Sequence, residues 1–579
     1  MRRLRGSVVS EGLARGEALV VATGEVYVPE GRVAEAMVER EVQRFDRAVA
    51  ATRRDIEVLR NEARQHLGEM TEIIGTYLAF LGDEATLLGP VRRLVREERY
   101  NATYATFRRF SDVSRELEGL PEPLPSRVPD LVDIKRRIIG HLRGGRGPVA
   151  ELERLRRKVV IIADDLSPTQ TAKLDRDKVL AFVTDRGGPA SHTAILARHL
   201  GIPAVVGLGN VTKAVRSGDH VIVDGMLGEV IVTPDDESVR QFQSKSRKLA
   251  ASRKKVHLGH GVAHTRDRTE IRILGNIDRG EQVPALQELG IEGVGLFRTE
   301  FLFLGRRMPD EEEQRLHYGR LLADMAPHPI CIRTMDFGAD KWDHRVGGQH
   351  EENPFLGMRA IRLSFAHETL FRTQLRAILR ASPAGNCRIM FPMIMDVGEF
   401  RRAVGILRSV QDELRAEGQA YDPNTKIGAM IEVPSAALTV ENLLREVDFL
   451  SLGTNDLTQY TLAVDRTNPL VANLFDPHHP SVLRLISDTS EACLRVGCPL
   501  SACGEMAGTS DYTPVLIGLG LTTLSMASRR VPLVVPRIAK LHLAECRDLA
   551  QAMLAADDAA HARRLLDDFH RKASTRSRR

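Results

Sequence analysis

The sequence lacks the long apolar runs that a membrane protein needs. Across 579 residues, no stretch approaches the roughly 20 uninterrupted apolar residues of a transmembrane helix. The first residues, MRRLRGSVVSEGLARG, also lack the continuous apolar segment of a secretory signal. We therefore expect a cytoplasmic chain that does not insert into a membrane.

Cysteine is scarce, and charge of neither sign dominates. The 6 cysteines form no CxxC pair and no zinc-finger spacing, so they are interpreted as reduced thiols. The 82 basic and 77 acidic residues leave a net charge of +5, to which the basic tail at 570–579 contributes. No aromatic residues interleave with this tail, so we interpret it as a solvated tail and expect no nucleic-acid partner.

The chain is too long for a single hydrophobic core, because single cores stop growing at roughly 250 to 300 residues. We therefore expect several domains. The pattern of apolar residues changes along the chain from helical spacing to short β-branched runs, and later to strand-like runs separated by helix-length segments. The predicted parts are an N-terminal segment at 1–31 that packs with an α/β domain, a helical subdomain at 32–147, the small α/β domain itself at 148–235, a helical linker at 236–260, a barrel at 261–569 and the basic tail at 570–579.

The second half contains eight strand-like runs. They are IRILGNI, VGLFRTE, PICIRTMD, CRIMFPM, KIGAMIE, FLSLGTND, PLSACGEM and TTLSMAS. Eight strand and helix repeats over about 300 residues predict a (β/α)8 TIM-type barrel. Polar residues cluster at the carboxyl ends of these runs, and that end of such a barrel is where catalytic residues lie.

Several basic residues follow the strand-like runs. Arg298, Arg333, Arg359 and Arg466 are predicted at the rim, with Lys341 close to them in sequence. Guanidiniums that converge without matching local acids need an anionic ligand, and their planar geometry suits carboxylate and phosphate. A small molecule that carries both groups is the expected ligand; the alternative is that these arginines form ordinary ion pairs.

Two carboxylates end neighbouring runs, Glu432 after KIGAMI and Asp456 in FLSLGTND. Mg²⁺ is commonly held by one or two carboxylates together with substrate oxygens. We therefore predict a Mg²⁺ site here, and a structural salt bridge to a rim arginine is the alternative.

A histidine in the α/β domain is a candidate nucleophile. The segment GGPASHTAILARHLGIPAVVG places His192 at the expected start of a helix. The helix dipole and free backbone N–H groups there would stabilise a phosphate on the imidazole, and neutral imidazole is a competent nucleophile. His199 lies in the same predicted helix and is a second candidate for the nucleophile. Either histidine could instead be structural.

These segments together resemble Enzyme I of the bacterial phosphoenolpyruvate-dependent phosphotransferase system, within the phosphoenolpyruvate-utilising enzymes. The resemblance covers essentially the whole chain. It is carried by GGPASHTAILAR, DFLSLGTNDLTQYTLAVDR, GLFRTEFLF, IRTMDFGADK, EENPFLGMRAIR, IEVPSAA and ACGEMAG.

The resemblance implies a role for each matching residue. It implies phosphorylation of His192, support from Thr171, phosphoenolpyruvate binding by Arg298, Arg333, Arg359, Asn455 and Arg466, Mg²⁺ binding by Glu432 and Asp456, and protonation of the enolate by Cys503. Lys341 is a further candidate for substrate binding because of its place near the rim arginines. It also implies a swivelling phosphohistidine domain, a helical subdomain that binds a histidine phosphocarrier protein, a homodimer formed through the barrel, and a part in sugar uptake.

Other functions stay open at this point. Pro189 and Ala190 depart from the family pattern before the histidine, so the tuning of a phosphohistidine there could differ. A nitrogen-type regulatory paralogue is an alternative. A relative of pyruvate phosphate dikinase or phosphoenolpyruvate synthase is disfavoured, because the chain has no GxxxxGK[ST] loop. A scaffold that only senses phosphoenolpyruvate is the last alternative.

Overall fold

The computed structural model describes residues 1–10, 12–21, 28–66, 77–119, 128–144, 155, 157–166, 178–187, 193, 197, 201–303, 308–337, 353–466, 468, 471 and 474–576. The chain divides into two compact units, Met1–Ser246 and Arg247–Arg579. Within the ranges just given, no helix combines the length and the apolar character that a membrane span requires.

The first unit contains a mixed sheet. Its strands are β1 (Arg2–Arg5), β2 (Ser7–Ser10), β3 (Leu13–Val21), β4 (Val159–Ala163), β5 (Val179–Thr184), β6 (Ala204–Val206), β7 (His220–Asp224) and β8 (Glu229–Val232), in the order β1-β8-β7-β3-β4-β5-β6-β2. The centre of the sheet is parallel, with β3 beside β4 and β4 beside β5. Successive side chains of a strand point to opposite faces. Ile161 and Val160 accordingly belong to separate apolar clusters, which explains the unbroken apolar run VVIIA of β4.

The described residues of this unit also form helices. They are α1 (Val38–His66), α2 (Gly89–Glu97), α3 (Ala102–Glu118), α4 (Val128–Leu142), the short α5 (Val211–Ala214) and α6 (Asp236–Lys255), which begins in this unit and continues past Ser246. Phe45 on α1, Phe110 on α3 and Ile134 on α4 are fully buried in one apolar cluster. The apolar pattern from about residue 91 to 117 reads as one run in the sequence, but it forms two helices. Asn101 separates the two helices. Its side chain accepts a hydrogen bond of 2.8 Å from the Tyr104 N–H and so caps the start of α3.

The second unit is a closed barrel. Its strands are β10 (Glu270–Ile277), β11 (Val294–Arg298), β12 (Ile330–Arg333), β13 (Cys387–Phe391), β14 (Lys426–Ile431), β15 (Phe449–Leu452), β16 (Leu500–Ala502) and β17 (Thr523–Met526), with β9 (Val262–His264) antiparallel to β10 outside the ring. Each strand of the ring is parallel to the next, and β17 returns to β10. Seven of the eight strands lie within the runs found in the sequence, and β10 begins one residue before its run, so the predicted barrel is confirmed.

Helices surround the barrel strands. They are α7 (Val283–Glu288), α8 (Glu311–Met325), α9 (Ala360–Ala366), α10 (Glu368–Ala381), α11 (Val397–Ala416), α12 (Pro434–Leu438), α13 (Val440–Leu443), α14 (Thr454–Leu462), α15 (Pro480–Val496), α16 (Thr513–Gly518), α17 (Val531–Ile538), α18 (Leu543–Leu554) and α19 (Ala559–Arg576). A large apolar core includes residues of both the strands and these helices. A second, small cluster is formed by alternate strand residues and Cys503: Leu296, Cys331, Met390, Met430, Phe449 and Cys503. Such inward-facing layers fill a barrel and make it a packed scaffold for its rim.

Candidate active site at the carboxyl rim of the barrel

The rim collects polar residues from several strands. Arg298 and Arg333 are the last residues of β11 and β12, and Glu432 directly follows β14. Asp456 lies in the first turn of α14, just beyond β15, and Cys503 follows β16. Because all eight strands are parallel, these five residues lie at the same end of the barrel. The structure therefore places these predicted site residues on one rim.

Arg333 is a buried guanidinium held by two acids. Its Nη2 donates to Glu300 Oε1 at 2.8 Å, and its Nη1 lies 2.8 Å from Asp336 Oδ2. The side chain is only 9% exposed, and the Nε–H has no hydrogen-bond acceptor among the described residues. A buried N–H without an acceptor is costly, so this group is available to an anionic ligand.

Arg359 is the second buried guanidinium. Its Nη1 donates to the Tyr460 hydroxyl at 2.9 Å, and its Nη2 donates to Asp336 Oδ1, also at 2.9 Å. Tyr460 in turn donates to the Phe355 carbonyl at 2.6 Å. As with Arg333, the described residues provide no acceptor for the Arg359 Nε–H. Two arginines that both keep a buried donor are suited to a ligand with carboxylate or phosphate oxygens.

Asp336 joins the two arginines. Burial opposes ionisation of its side chain, but Arg333 and Arg359 outweigh burial and hold the pKa of the carboxyl at about 2. The same ion pairs contradict one premise taken from the sequence, that the rim arginines lack matching acids. That premise is wrong, because Asp336 and Glu300 follow the strands β12 and β11 and reach the arginines across the rim.

The carboxylates of the rim fit a divalent cation. Burial raises the pKa of Glu432 to about 8, and the nearby Asp456 and Asp336 act in the same direction. Glu432 Oε1 accepts from the Met393 N–H at 2.7 Å. Asp456 Oδ1 is buried and accepts no hydrogen bond from the described residues; its ion-pair contact is Arg466 Nη2 at 3.5 Å. A cation between the two carboxylates would stabilise both of them in the charged state.

Two carboxylates are a set of side chains that Mg²⁺ can use. Among the described residues, no group of three His, Cys, Asp or Glu side chains could hold a metal. Mg²⁺ usually keeps several waters and binds one or two carboxylates together with substrate oxygens. The pair Glu432 and Asp456 satisfies that requirement.

Two predicted arginines are more exposed. Arg298 Nη1 lies 3.3 Å from Asp278 Oδ1, with both side chains more than 40% exposed. Arg466 lies 3.5 Å from Asp456, and its side chain is 32% exposed. Exposed ion pairs contribute little stability, so these two guanidiniums can exchange their acid for a ligand more easily than Arg333 and Arg359.

Cys503 lies beneath the rim. It is 2% exposed, and its Sγ–H points to the Leu452 carbonyl at 3.5 Å. Burial raises the pKa of its thiol, while a hydrogen bond with Ser451 opposes that shift. Asn276 Nδ2 donates to the Cys503 carbonyl at 2.8 Å. The residue is therefore fixed in place with its thiol protonated at neutral pH.

Asn455 has a structural contact at the rim. Its Oδ1 accepts from the Glu505 N–H at 2.9 Å, which joins the start of α14 to the loop after β16. The side-chain amide nitrogen can still donate to a ligand.

Three predicted site residues, His192, Thr171 and Lys341, lie outside the described residues, as do His199, Pro189 and Ala190. Their assigned roles stay predictions.

Two contributors to the rim were not predicted from the sequence. Tyr460 contacts Arg359, and the main-chain N–H of Met393 binds Glu432. Tyr460 lies four residues after Asp456 on α14, a spacing that places both on one helix face, so the sequence did contain a signal for it. Met393 has a left-handed backbone with φ of 56°, which no side-chain pattern reveals.

Comparison with known proteins places the chain in a family. The profile of the phosphoenolpyruvate-binding domain of phosphoenolpyruvate-utilising enzymes matches residues 252–543. The profile of their mobile domain matches residues 155–228, and that of their N-terminal domain matches residues 5–125. A solution structure of Enzyme I is 38% identical and covers 43% of this chain and 99% of its own, at a TM-score of 0.36.

Curated relatives extend the match to nearly the whole chain. The phosphoenolpyruvate-protein phosphotransferase of Bacillus sp. (strain S) is 40% identical over 534 residues, 92% of each chain. That of Geobacillus stearothermophilus is 39% identical over 559 residues, 96% of each chain. That of Bacillus subtilis (strain 168) is 38% identical over 558 residues, 96% of this chain and 97% of its own. The chain therefore belongs to the phosphoenolpyruvate-utilising enzymes, in the family of the phosphoenolpyruvate-protein phosphotransferases.

Proposed function

We propose that this chain transfers the phosphoryl group of phosphoenolpyruvate to His192, releases pyruvate, and passes the group to a histidine phosphocarrier protein. One observation supports phosphoenolpyruvate as the substrate. Arg333 and Arg359 each keep a buried Nε–H without an acceptor among the described residues, beside carboxylates that suit a divalent cation. A substrate with a carboxylate and a phosphate would satisfy both features, and phosphoenolpyruvate has these two groups.

The basic residues of the rim are proposed to bind the substrate anion. Arg333 and Arg359 fix the anion from the floor of the site, since both are buried and held by Asp336. Arg298 and Arg466 approach from the exposed side, together with Asn455. Lys341 is proposed to add a further positive charge for the anion. Binding and orientation of this kind supply a large part of catalysis in phosphoryl transfer.

Glu432 and Asp456 would hold Mg²⁺, which polarises the phosphoryl and carboxyl oxygens of the substrate when it is bound. Gly453 and the Met393 N–H position Glu432 for this role.

In the chemical step, an imidazole nitrogen of His192 forms a bond to phosphorus while the bond between phosphorus and the enolate oxygen breaks. The enolate takes a proton at carbon from the Cys503 thiol, which gives pyruvate and a thiolate that water reprotonates. The raised pKa of Cys503 supports this role, because it keeps the proton on sulfur until the strongly basic enolate carbon forms. Thr171 is proposed to hold the phosphorylated imidazole.

The remaining parts of the proposal follow from the family. The helical subdomain at 32–147 would bind the phosphocarrier, and the α/β domain at 148–235 would swivel between carrier and barrel, with the linker at 236–260. The chain would act in the cytoplasm as a homodimer formed through the barrel and would supply phosphoryl groups for sugar uptake.

Incubation of the purified chain with phosphoenolpyruvate and Mg²⁺, followed by intact mass measurement, tests the function. We expect one added phosphoryl group that is labile in acid and absent from His192→Ala. His199→Ala is the matched control and should be phosphorylated like the parent. Phosphorylation of His192→Ala, or none in the parent, would contradict the proposal.

A further inference from the structure

Helix α15 ends in a backbone arrangement that brings two cysteines together. Gly497 follows the helix with φ of 70°, its N–H donates to the Leu494 carbonyl at 3.4 Å, and the Cys498 N–H donates to the Cys493 carbonyl at 3.0 Å. This pair of hydrogen bonds is the Schellman motif, in which the side chains at the positions of Cys493 and Cys498 commonly contact each other. Both of those positions hold a thiol here.

The two thiols are in hydrogen-bond contact. The bond between the two side chains lowers the pKa of Cys498 and raises that of Cys493. All six cysteines are free, and Cys498 is the one that is not buried. Cys493 is 1% exposed. The arrangement therefore pairs an accessible, more acidic thiol with a buried one behind it.

We propose that Cys493 and Cys498 form a reversible oxidation site, in which a hydroperoxide converts the two thiols into a disulfide that bridges Gly497. The Cys498 thiolate attacks the peroxide, the O–O bond breaks, and Cys498 becomes a sulfenic acid with release of water or an alcohol. The Cys493 sulfur then attacks the Cys498 sulfur and displaces water. The two thiols lose two electrons and the peroxide gains them.

The other cysteines are poor competitors for the oxidant. A thiolate reacts with peroxide and a thiol does not. Burial raises the pKa of all four: Cys331, Cys387, Cys503 and Cys546. Cys498 is followed by Pro499 and then by β16, so the disulfide would form at the amino end of the strand that leads to Cys503. The proposal does not depend on phosphotransfer.

The test uses the full-length chain treated with a few equivalents of hydrogen peroxide, alkylated under denaturing conditions and digested with trypsin. Cleavage after Arg495 places Cys493 and Cys498 in different peptides, LISDTSEACLR and the peptide that begins VGCPLSACGEM. We expect these two peptides to appear joined, at the summed mass less two hydrogen atoms, and to separate again on reduction.

Cys503 lies in the same peptide as Cys498. Two variants therefore show which of these two cysteines forms the disulfide with Cys493. Cys498→Ser should abolish the joined species, and Cys503→Ser should retain it. A joined species that persists in Cys498→Ser would overturn the assignment. Oxidation of the parent that leaves the two peptides separate, or that stops at sulfinic acid on Cys498, would overturn the proposal itself.

Discussion

Substitution of Gly453 by alanine tests the position of the Glu432 carboxylate. A Cβ at residue 453 would lie 2.5 Å from Glu432 Oε2, 2.8 Å from Glu432 Cβ and 3.0 Å from Met430 Sδ, whereas ordinary contact begins near 3.4 Å. The backbone of Gly453, with φ of −87° and ψ of 72°, does not require glycine. The effect is therefore steric, and Glu432 must shift by roughly 1 Å to relieve it.

A shift of that size at a proposed metal ligand should slow the reaction and weaken metal binding. Misplacement by about 1 Å can lower a rate by about 10²-fold, so we expect that loss in the rate of phosphorylation by phosphoenolpyruvate. The Mg²⁺ concentration for half-maximal rate should rise as well. Rapid-quench measurements across a Mg²⁺ titration give both values.

Gly405→Ala is the matched control, because a Cβ on residue 405 of helix α11 meets nothing within 4 Å. It should retain the parent rate and gain stability by about 0.5–1 kcal/mol. If Gly453→Ala keeps the rate and Mg²⁺ dependence of the parent while folded, Glu432 does not hold the cation.

Three further predictions concern single residues. Tyr460→Phe leaves a buried guanidinium N–H without its acceptor at 2.9 Å, so KM for phosphoenolpyruvate should rise by roughly 5- to 20-fold; an unchanged KM in steady-state assays would contradict this. Asp476 is partly buried, but its hydrogen bonds from His478 hold the pKa of its carboxyl at about 2. Because this pKa is lowered on folding, Asp476→Asn should cost about 1 kcal/mol of unfolding free energy above about pH 4, and the cost should shrink as pH falls toward 2. Urea unfolding of parent and variant at several pH values measures that difference, and a cost that grows in acid would refute it. Arg376 pairs with three glutamates and is 19% exposed, so Arg376→Met should lower stability by about 1–2 kcal/mol, while Arg415→Met, 67% exposed, should change it by less than about 0.5 kcal/mol in the same assay.

The barrel could be predicted from the sequence because each strand carries its own local signal. The run KIGAMI is apolar and is followed at once by Glu432, and FLSL is followed by GTND. Parallel strands buried on both faces appear as short apolar runs, and their polar ends lie at one rim. The pattern of residues alone therefore predicts that Arg333, Glu432 and Cys503 lie together.

Contacts that depend on how the backbone turns and folds could not be predicted in the same way. Asp336 holds Arg359 from another part of the rim, and the apparent excess of unpaired guanidiniums disappears once such pairs form. The Met393 N–H that binds Glu432 depends on a positive φ at a residue that is not glycine. The contact of Cys493 with Cys498 depends on the turn at Gly497. Each of these contacts comes from backbone geometry, which residue types alone do not specify.

The most direct test of phosphotransfer counts both products in one quenched single-turnover reaction with phosphoenolpyruvate and Mg²⁺. The account predicts equal amounts of pyruvate and acid-labile phosphoryl group on the protein, with both absent from His192→Ala. Pyruvate released by His192→Ala at the parent rate, with the phosphoryl group found as free phosphate, would show that water and not His192 accepts it, and would contradict the account.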